Sequence, residues 1–409
     1  MHMWKRTSSH RSADRTLLHT IARASALVFL AAACSGIVGT PGPSNDAALT
    51  AQGKATFRND TYGDETFWTD TLRMHEVIAS SVSPKTALSV GLKVDMDTLP
   101  QSVSDAIKNG QVNLDDPATT VTLLKLGAVV GVVGQVDATN HLTRVGVTCA
   151  LCHSTVDDAF APGIGHRLDG WPNRDLNVGA IIALSPAVPA DKKAVYNSWG
   201  KGMYDPRFNF DGKNMPVVIP PAFGLRNVAR EIYTGDDTIS YWNLYVGITQ
   251  MHGHGTFVDP RIGASVHNPP ENLTTDKLAA LRAYQFSIDK PVAMGFDAAA
   301  AARGRTVFEG VGTCSTCHVG ATLTDVNSGK LHTPAEVGQD AAYAARSATK
   351  LYRTTPLRGL FHPPQLQGPY FHDGNAKTLA DVVDHYVTKR ALTLTAQQKN
   401  DLIEYLKSL

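Results

Sequence analysis

Two pentapeptides carry most of the chemistry this chain can do. Cys149, Cys152 and His153 lie in VTCALCHS, and Cys314, Cys317 and His318 lie in GTCSTCHV. Two thiols three positions apart with a histidine directly behind them suit covalent haem attachment: the thiols form thioethers to the vinyl groups and the imidazole becomes the proximal iron ligand. A four-cysteine zinc site would need the pairs to converge from about 160 residues apart and would leave both histidines unexplained. A thioredoxin-like dithiol expects one pair beside a βαβ pattern, again without the histidine. The expectation is two haem c groups, with iron held by His153 and His318.

One of the five cysteines remains. Cys34 ends the apolar stretch from Ser25, which follows a basic start carrying Lys5, Arg6, Arg11, Arg15 and Arg23. The stretch is too short to span a bilayer, and its flanks are those of a secretory signal. Ala31-Ala32-Ala33-Cys34 resembles a bacterial lipobox, with Ala31 where that pattern prefers leucine. This reading makes residues 1–33 a signal peptide of lipoprotein type and Cys34 the lipidated first mature residue. The alternative is cleavage after Ala33 with a free thiol left behind. Residues 34–54, rich in Gly, Pro, Ser and Ala, are expected to be a flexible tether. Export fits the cofactor, since bacteria attach haem c outside the cytoplasmic membrane. The localisation expected is periplasmic, or membrane-anchored as a bacterial lipoprotein.

The 409 residues, 43% hydrophobic, support two domains with real cores. A formal net charge of +1 gives no reason to expect nucleic acid as a partner. The partners expected are redox proteins of the cell envelope, with membrane attachment only through the lipid anchor.

An internal repeat sets the elements that must position the two motifs. LTTDKLAALRAYQFSI, residues 273–288, aligns with the end of the chain: Leu273 meets Leu394, Leu281 meets Leu402, Tyr284 meets Tyr405 and Ile288 meets Leu409. Each segment has apolar positions at helical spacing behind a threonine start. Pro221, Gly224 and Leu225 correspond to Pro356, Gly359 and Leu360, and Tyr245 to Tyr386. Gly304 and Phe308 lie four apart before Cys314, where a glycine lets two helix backbones approach. The fold class expected is therefore mainly α: two cytochrome c-like haem domains, 55–290 and 291–409, the first enlarged by insertions.

The C-terminal part resembles the bacterial di-haem cytochrome c peroxidases and their relatives, the methylamine-dehydrogenase maturation enzymes. The residues that carry this are TTPLRGL, 354–360, and GPYFHDGNAKTLADVVDHY, 368–386. It covers roughly the last 110 residues and is only architectural before them. In that family the distal ligand of the second haem lies at the end of the FHDG helix, as methionine in the peroxidases and tyrosine in the maturation enzymes. No methionine follows His318, and Tyr386 falls at the position. Its alternatives are a tyrosine packed on the haem edge, or ligation by His372 or His385.

For the first haem, Met215 stands before Pro216 as a ligand methionine does in small cytochromes c, with Met203, Met251, His252 and His254 competing. The first half carries extra residues, GITQMHGHGTFVDPRIGASVHNPPEN, read as a flexible loop whose Gln250, His252 and His254 can bind or polarise a small ligand. In the peroxidases the corresponding stretch places an acidic residue over an open haem. No glutamate occurs from Ile232 to Pro270, so His252 or His254 would do that proton work here, or would fill the sixth iron position and close the site. Arg167 and Arg174 could pair with haem propionates, and Trp171 could pack on a porphyrin or relay charge. Electron transfer through two haems is the expected function. The alternative is a haem-dependent oxidoreductase of peroxidase type, in which a small oxidant such as peroxide meets the first haem and the second supplies electrons.

Overall fold

The computed structural model describes residues 47–270 and 272–409. The signal peptide, Cys34 and the start of the tether lie outside them. About 41% of the described residues are helical, and the strands among them pair only in twos, so the mainly α class stands. No helix among the described residues is long and apolar enough to cross a membrane.

Two crossed helix pairs frame the molecule. Helix Ala298–Glu309 starts at Asp297, whose side chain accepts from Ala300 N, and an alanine run then favours helix. Helix Ala396–Lys407 starts in a reciprocal box, Thr395 accepting from Gln398 N and Gln398 accepting from Thr395 N. They cross at Gly304, where a Cβ would overlap the Asp401 carbonyl oxygen. Phe308 then packs edge-on to Tyr405 at 5.1 Å.

The same device occurs in the first half. Helix Ala47–Asn59 crosses helix Leu278–Ser287 at Gly53, where a Cβ would overlap the Ala280 carbonyl oxygen, and Phe57 packs edge-on to Tyr284 at 5.5 Å. Burying each phenylalanine is worth roughly 1.5–3 kcal/mol. Residues 47–54 are therefore helix and not tether, a correction with a plain cause. Ala, Gln and Lys there are good helix formers, and Gly53 serves a backbone contact, not a flexible linker.

The repeat extends to hydrogen bonds. Gly224 N donates to Ile288 O at 2.7 Å, and Gly359 N donates to Leu409 O at 3.1 Å, matching the aligned pairs. Both glycines hold positive φ, +62° and +56°, as only glycine does without strain. The two turns meet: Arg358 Nη1 donates to Gly224 O, and a Cβ on Gly359 would strike the Phe223 ring.

Two ionic knots hold the remainder. Asp169 accepts from Arg58, Ser154, Arg167 and Tyr284, joining the first helix pair to the strand that follows His153. Arg346 binds Asp205 and Asp211 across more than 130 residues of sequence. All described residues belong to one compact unit.

The extra stretch after Tyr245 is not a flexible loop. Strands Gly255–Asp259 and Ala264–Asn268 form an antiparallel hairpin, with Phe257 and Ala264 buried against Trp242, Tyr245 and Ile248. Alternation of Gly255, Phe257 and Asp259 inward with Thr256 and Val258 outward is the strand period.

Candidate haem sites

The second motif opens on a large cavity. Cys314, Cys317 and His318 line it together with Phe308, Leu402 and Tyr386. His318 Nδ1 lies 2.9 Å from Leu323 O. A carbonyl only accepts, so Nδ1 carries the proton and the Nε2 lone pair is left for a metal. Burial lowers the His318 pKa, which keeps the ring neutral as ligation requires.

His153 repeats the arrangement. Its Nδ1 donates to Pro220 O at 3.1 Å, and burial pushes its pKa down to about 4. The four thiols are free of disulfides. Burial pushes Cys149 and Cys314 up to about 11 and Cys152 up to about 12, so they remain protonated near neutral pH.

The cavity at the second motif suits haem in shape and charge. Leu379, Val383, Leu402 and Leu406 supply apolar wall. No aspartate or glutamate lines it, whereas Arg174, Arg353, Arg358 and Arg390 do. An apolar macrocycle bearing two carboxylates is complementary to such a space.

Of the three candidates for the far side of the second site, Tyr386 lines the cavity, with burial raising its pKa to about 12. Its ring packs on Phe371 and His385. His372 also lines the cavity, but its Nδ1 meets Gln339 Oε1 at 3.2 Å and its Nε2 meets Tyr352 Oη at 3.3 Å. His385 Nε2 donates to Val337 O at 2.9 Å. The corresponding Tyr245 is a core residue, donating to Pro206 O at 2.6 Å.

Around the first motif, Tyr62, Trp68, Leu72, Val145, Val147 and Met251 form one buried cluster against Cys149 and Cys152. Side chains from 62–74 and 145–147 thus pack on the thiols of the first motif. Tyr62 Oη lies 3.7 Å from Cys149 Sγ. Met215 is not in this cluster. Its amide donates to Asp205, which draws its side chain into a separate group with Val217, Tyr343 and Tyr352. Met215 thus packs apart from the first motif, whereas Met74 and Met251 both belong to the cluster against its thiols.

The loop residues separate. Gln250 is buried and accepts from Tyr204 Oη at 2.6 Å, and Tyr204 packs on the same cluster. His252 stacks on Phe67 with ring centroids 3.5 Å apart, one layer out, and burial lowers its pKa to about 4. His254 is fastened by its backbone to Tyr62 O, and its Nδ1 is buried without a partner. Arg167 is held by Asp169, and Trp171 packs edge-on to Phe223 and His362. Sequence reasoning passed over Tyr62, Tyr204 and the Gly53–Phe57 pair. The last repeats the spacing of Gly304 and Phe308 and was visible in it.

The buried state of His252 has an acid consequence. Its folded pKa of about 4 lies below the unfolded value of about 6.5, so the unfolded chain binds more protons in between and stability falls as pH drops through that window. From pH 7 to pH 5 this residue should remove up to about 2 kcal/mol. His252→Phe, which keeps a ring on Phe67, should lessen that loss in urea unfolding at the two pH values; equal losses would contradict it.

No protein-family model matches the chain. It is 28% identical to the methylamine utilization protein MauG of Methylorubrum extorquens, over 66% of this chain and 74% of that one. The chain resembles the MauG and di-haem cytochrome c peroxidase superfamily. A second relative is hydrazine synthase subunit gamma of Kuenenia stuttgartiensis, 33% identical over 26% of this chain and 40% of that protein. Among solved structures, a hydrazine synthase chain from Kuenenia stuttgartiensis aligns at TM-score 0.34 and 20% identity, covering 52% of this chain and 78% of that one. A MauG-like protein associated with microbial copper homeostasis aligns at TM-score 0.35 and 20% identity, covering 48% and 74%.

Proposed function

We propose that the chain is an exported di-haem c-type cytochrome, organised as two cytochrome c-like halves, that transfers electrons through haems attached at Cys149/Cys152 and Cys314/Cys317. The observation that carries this is the duplicated histidine: His153 and His318 each donate Nδ1–H to a backbone carbonyl and keep Nε2 available beside two cysteines free of disulfides. Haem, once bound, supplies one-electron chemistry at iron. The chain fixes ring orientation at both histidines, and its apolar walls exclude water, which sets how strongly each site favours the reduced form. Redox titration of the purified holoprotein should resolve two one-electron waves. A single wave with one haem per chain would overturn the reading.

At the second site Tyr386 is the proposed distal ligand, because it alone of the three candidates both lines the cavity and has no hydrogen bond to another side chain or carbonyl among the described residues. Tyr386→Phe should change the ferric spectrum of one haem while leaving haem content intact. An unchanged spectrum removes the assignment.

A second reading gives the first site a small oxidant such as peroxide. Its support is the Tyr204–Gln250 pair and, one layer out on Phe67, the neutral His252, groups able to donate to and accept from a small polar ligand. A ferric spectrum shifting with peroxide or cyanide, and a reduced one shifting with carbon monoxide, would establish an accessible iron. Two inert low-spin haems would exclude it. Lipidation at Cys34 and redox partners in the cell envelope complete the proposal; Cys34→Ala should release the protein from the membrane fraction.

A further inference from the structure

Arg174 is a half-buried cation with no counterion among the described residues. Its Nε and Nη1 are sealed from solvent and have no hydrogen-bond partner, yet the residue lines the cavity of the second motif. Leaving a guanidinium desolvated and unpaired is among the costlier arrangements a protein can hold. The cavity offers no carboxylate to relieve it. Its other arginines are provided for: Arg353 pairs with Glu231 at 2.8 Å, Arg358 donates to Gly224 O, and Arg390 is exposed. Tyr233 and Tyr370, beside Arg174 in the same wall, give their hydroxyl protons to Val218 O and Leu360 O.

The position of Arg174 is fixed from the other half of the molecule. Gly170 N donates to His153 O, Asn173 N to Cys152 O at 2.9 Å, and Asn173 Nδ2 to Gly91 O. Gly202 N closes the segment on Leu176 O. The turn that carries the arginine is thus bound to the backbone of the first motif while its side chain reaches the second cavity. Such anchoring holds a long side chain ready without the entropy loss a free arginine would suffer on binding.

Resting on the di-haem reading above, we propose that Arg174 binds a propionate carboxylate of the haem held by Cys314, Cys317 and His318, so that a residue of the first half completes the second haem site. The planar fork matches a carboxylate, and the bound anion supplies the missing partner. The pair also sets the potential of that haem, since an unbalanced propionate charge would favour the ferric form. Arg174 acts as a positioning residue, not on the reacting atoms.

The test is a spectroelectrochemical titration of full-length holoprotein, comparing wild type with Arg174→Gln and Arg174→Lys. Phe308→Leu marks the second haem's wave, because Phe308 lies 6.1 Å from the His318 ring. Arg174→Gln should shift that haem's equilibrium toward the ferric form by about tenfold, which is about 59 mV for one electron. Arg174→Lys should recover part of the shift, and it carries the comparison if the glutamine variant does not retain the haem. An unmoved second wave in a variant holding both haems overturns the proposal. Movement confined to the other wave overturns it too, since the propionate would then belong to the His153 haem. A wild-type count below two haems counts instead against the di-haem reading, and the arginine is then judged by the same shift on the haem that His318 holds.

Discussion

Gly304→Ala should destabilise the second half by about 3 kcal/mol or more, although alanine is the better helix former by roughly 1 kcal/mol. The added Cβ has nowhere to go: it would overlap the Asp401 carbonyl oxygen, and backbone cannot swing aside as a flexible side chain does. The helices must separate, and the Phe308–Tyr405 contact that closes over the crossing loosens with them. Gly53→Ala should behave alike, because the Ala280 carbonyl occupies the same place in the first pair. Ala302→Gly on the exposed face of the same helix should cost only about 1 kcal/mol. Urea unfolding of the three variants checks this, and a stabilising Gly304→Ala would mean that the crossing is looser than described.

Arg346→Leu should cost about 3–5 kcal/mol. The guanidinium side chain is 1% exposed and pairs with Asp205, whose side chain is 0% exposed, and with Asp211. Asp205 also accepts from the amides of Arg207, Phe208 and Met215. Removing the arginine leaves a buried carboxylate with only amide donors, and the penalty is that of an uncompensated charge rather than the net worth of the pair. Asp205→Asn added to Arg346→Leu should therefore recover part of the loss in a thermal melt. Strict additivity of the two changes would contradict a direct coupling.

The residues proposed to attach haem were legible because their spacing has few rival meanings. The helix repeat was legible because apolar period and glycine position survive duplication. Yet its first member, Ala47–Asn59, was misread as tether up to residue 54, since Gly and Ala there look alike in a linker and at a close helix crossing. Distal groups were harder. Met215 had the right neighbour in sequence, Pro216, but the Asp205 carboxylate fixes its amide and sends the side chain elsewhere. The glycine-flanked histidines read as a free loop, whereas the residues that follow them, Gly255 to Asn268, fold into a hairpin that packs on Trp242 and Tyr245. Long-range placement of this kind depends on tertiary partners that no local pattern names. Arg174 was singled out with Arg167 and Trp171 in one segment; what distinguishes it is a guanidinium with two sealed nitrogens and no carboxylate partner among the described residues, which only the packed chain displays.

Intact mass measurement under denaturing conditions bears on the haem reading without any assumption about ligands or partners. Protein matured where haem c is attached should carry two haem masses, mapping to the peptides around Cys149–His153 and Cys314–His318. Cys149→Ala with Cys152→Ala should leave one, on the second peptide. A wild-type chain with no haem mass, or haem that dissociates on unfolding, would contradict covalent attachment at these motifs.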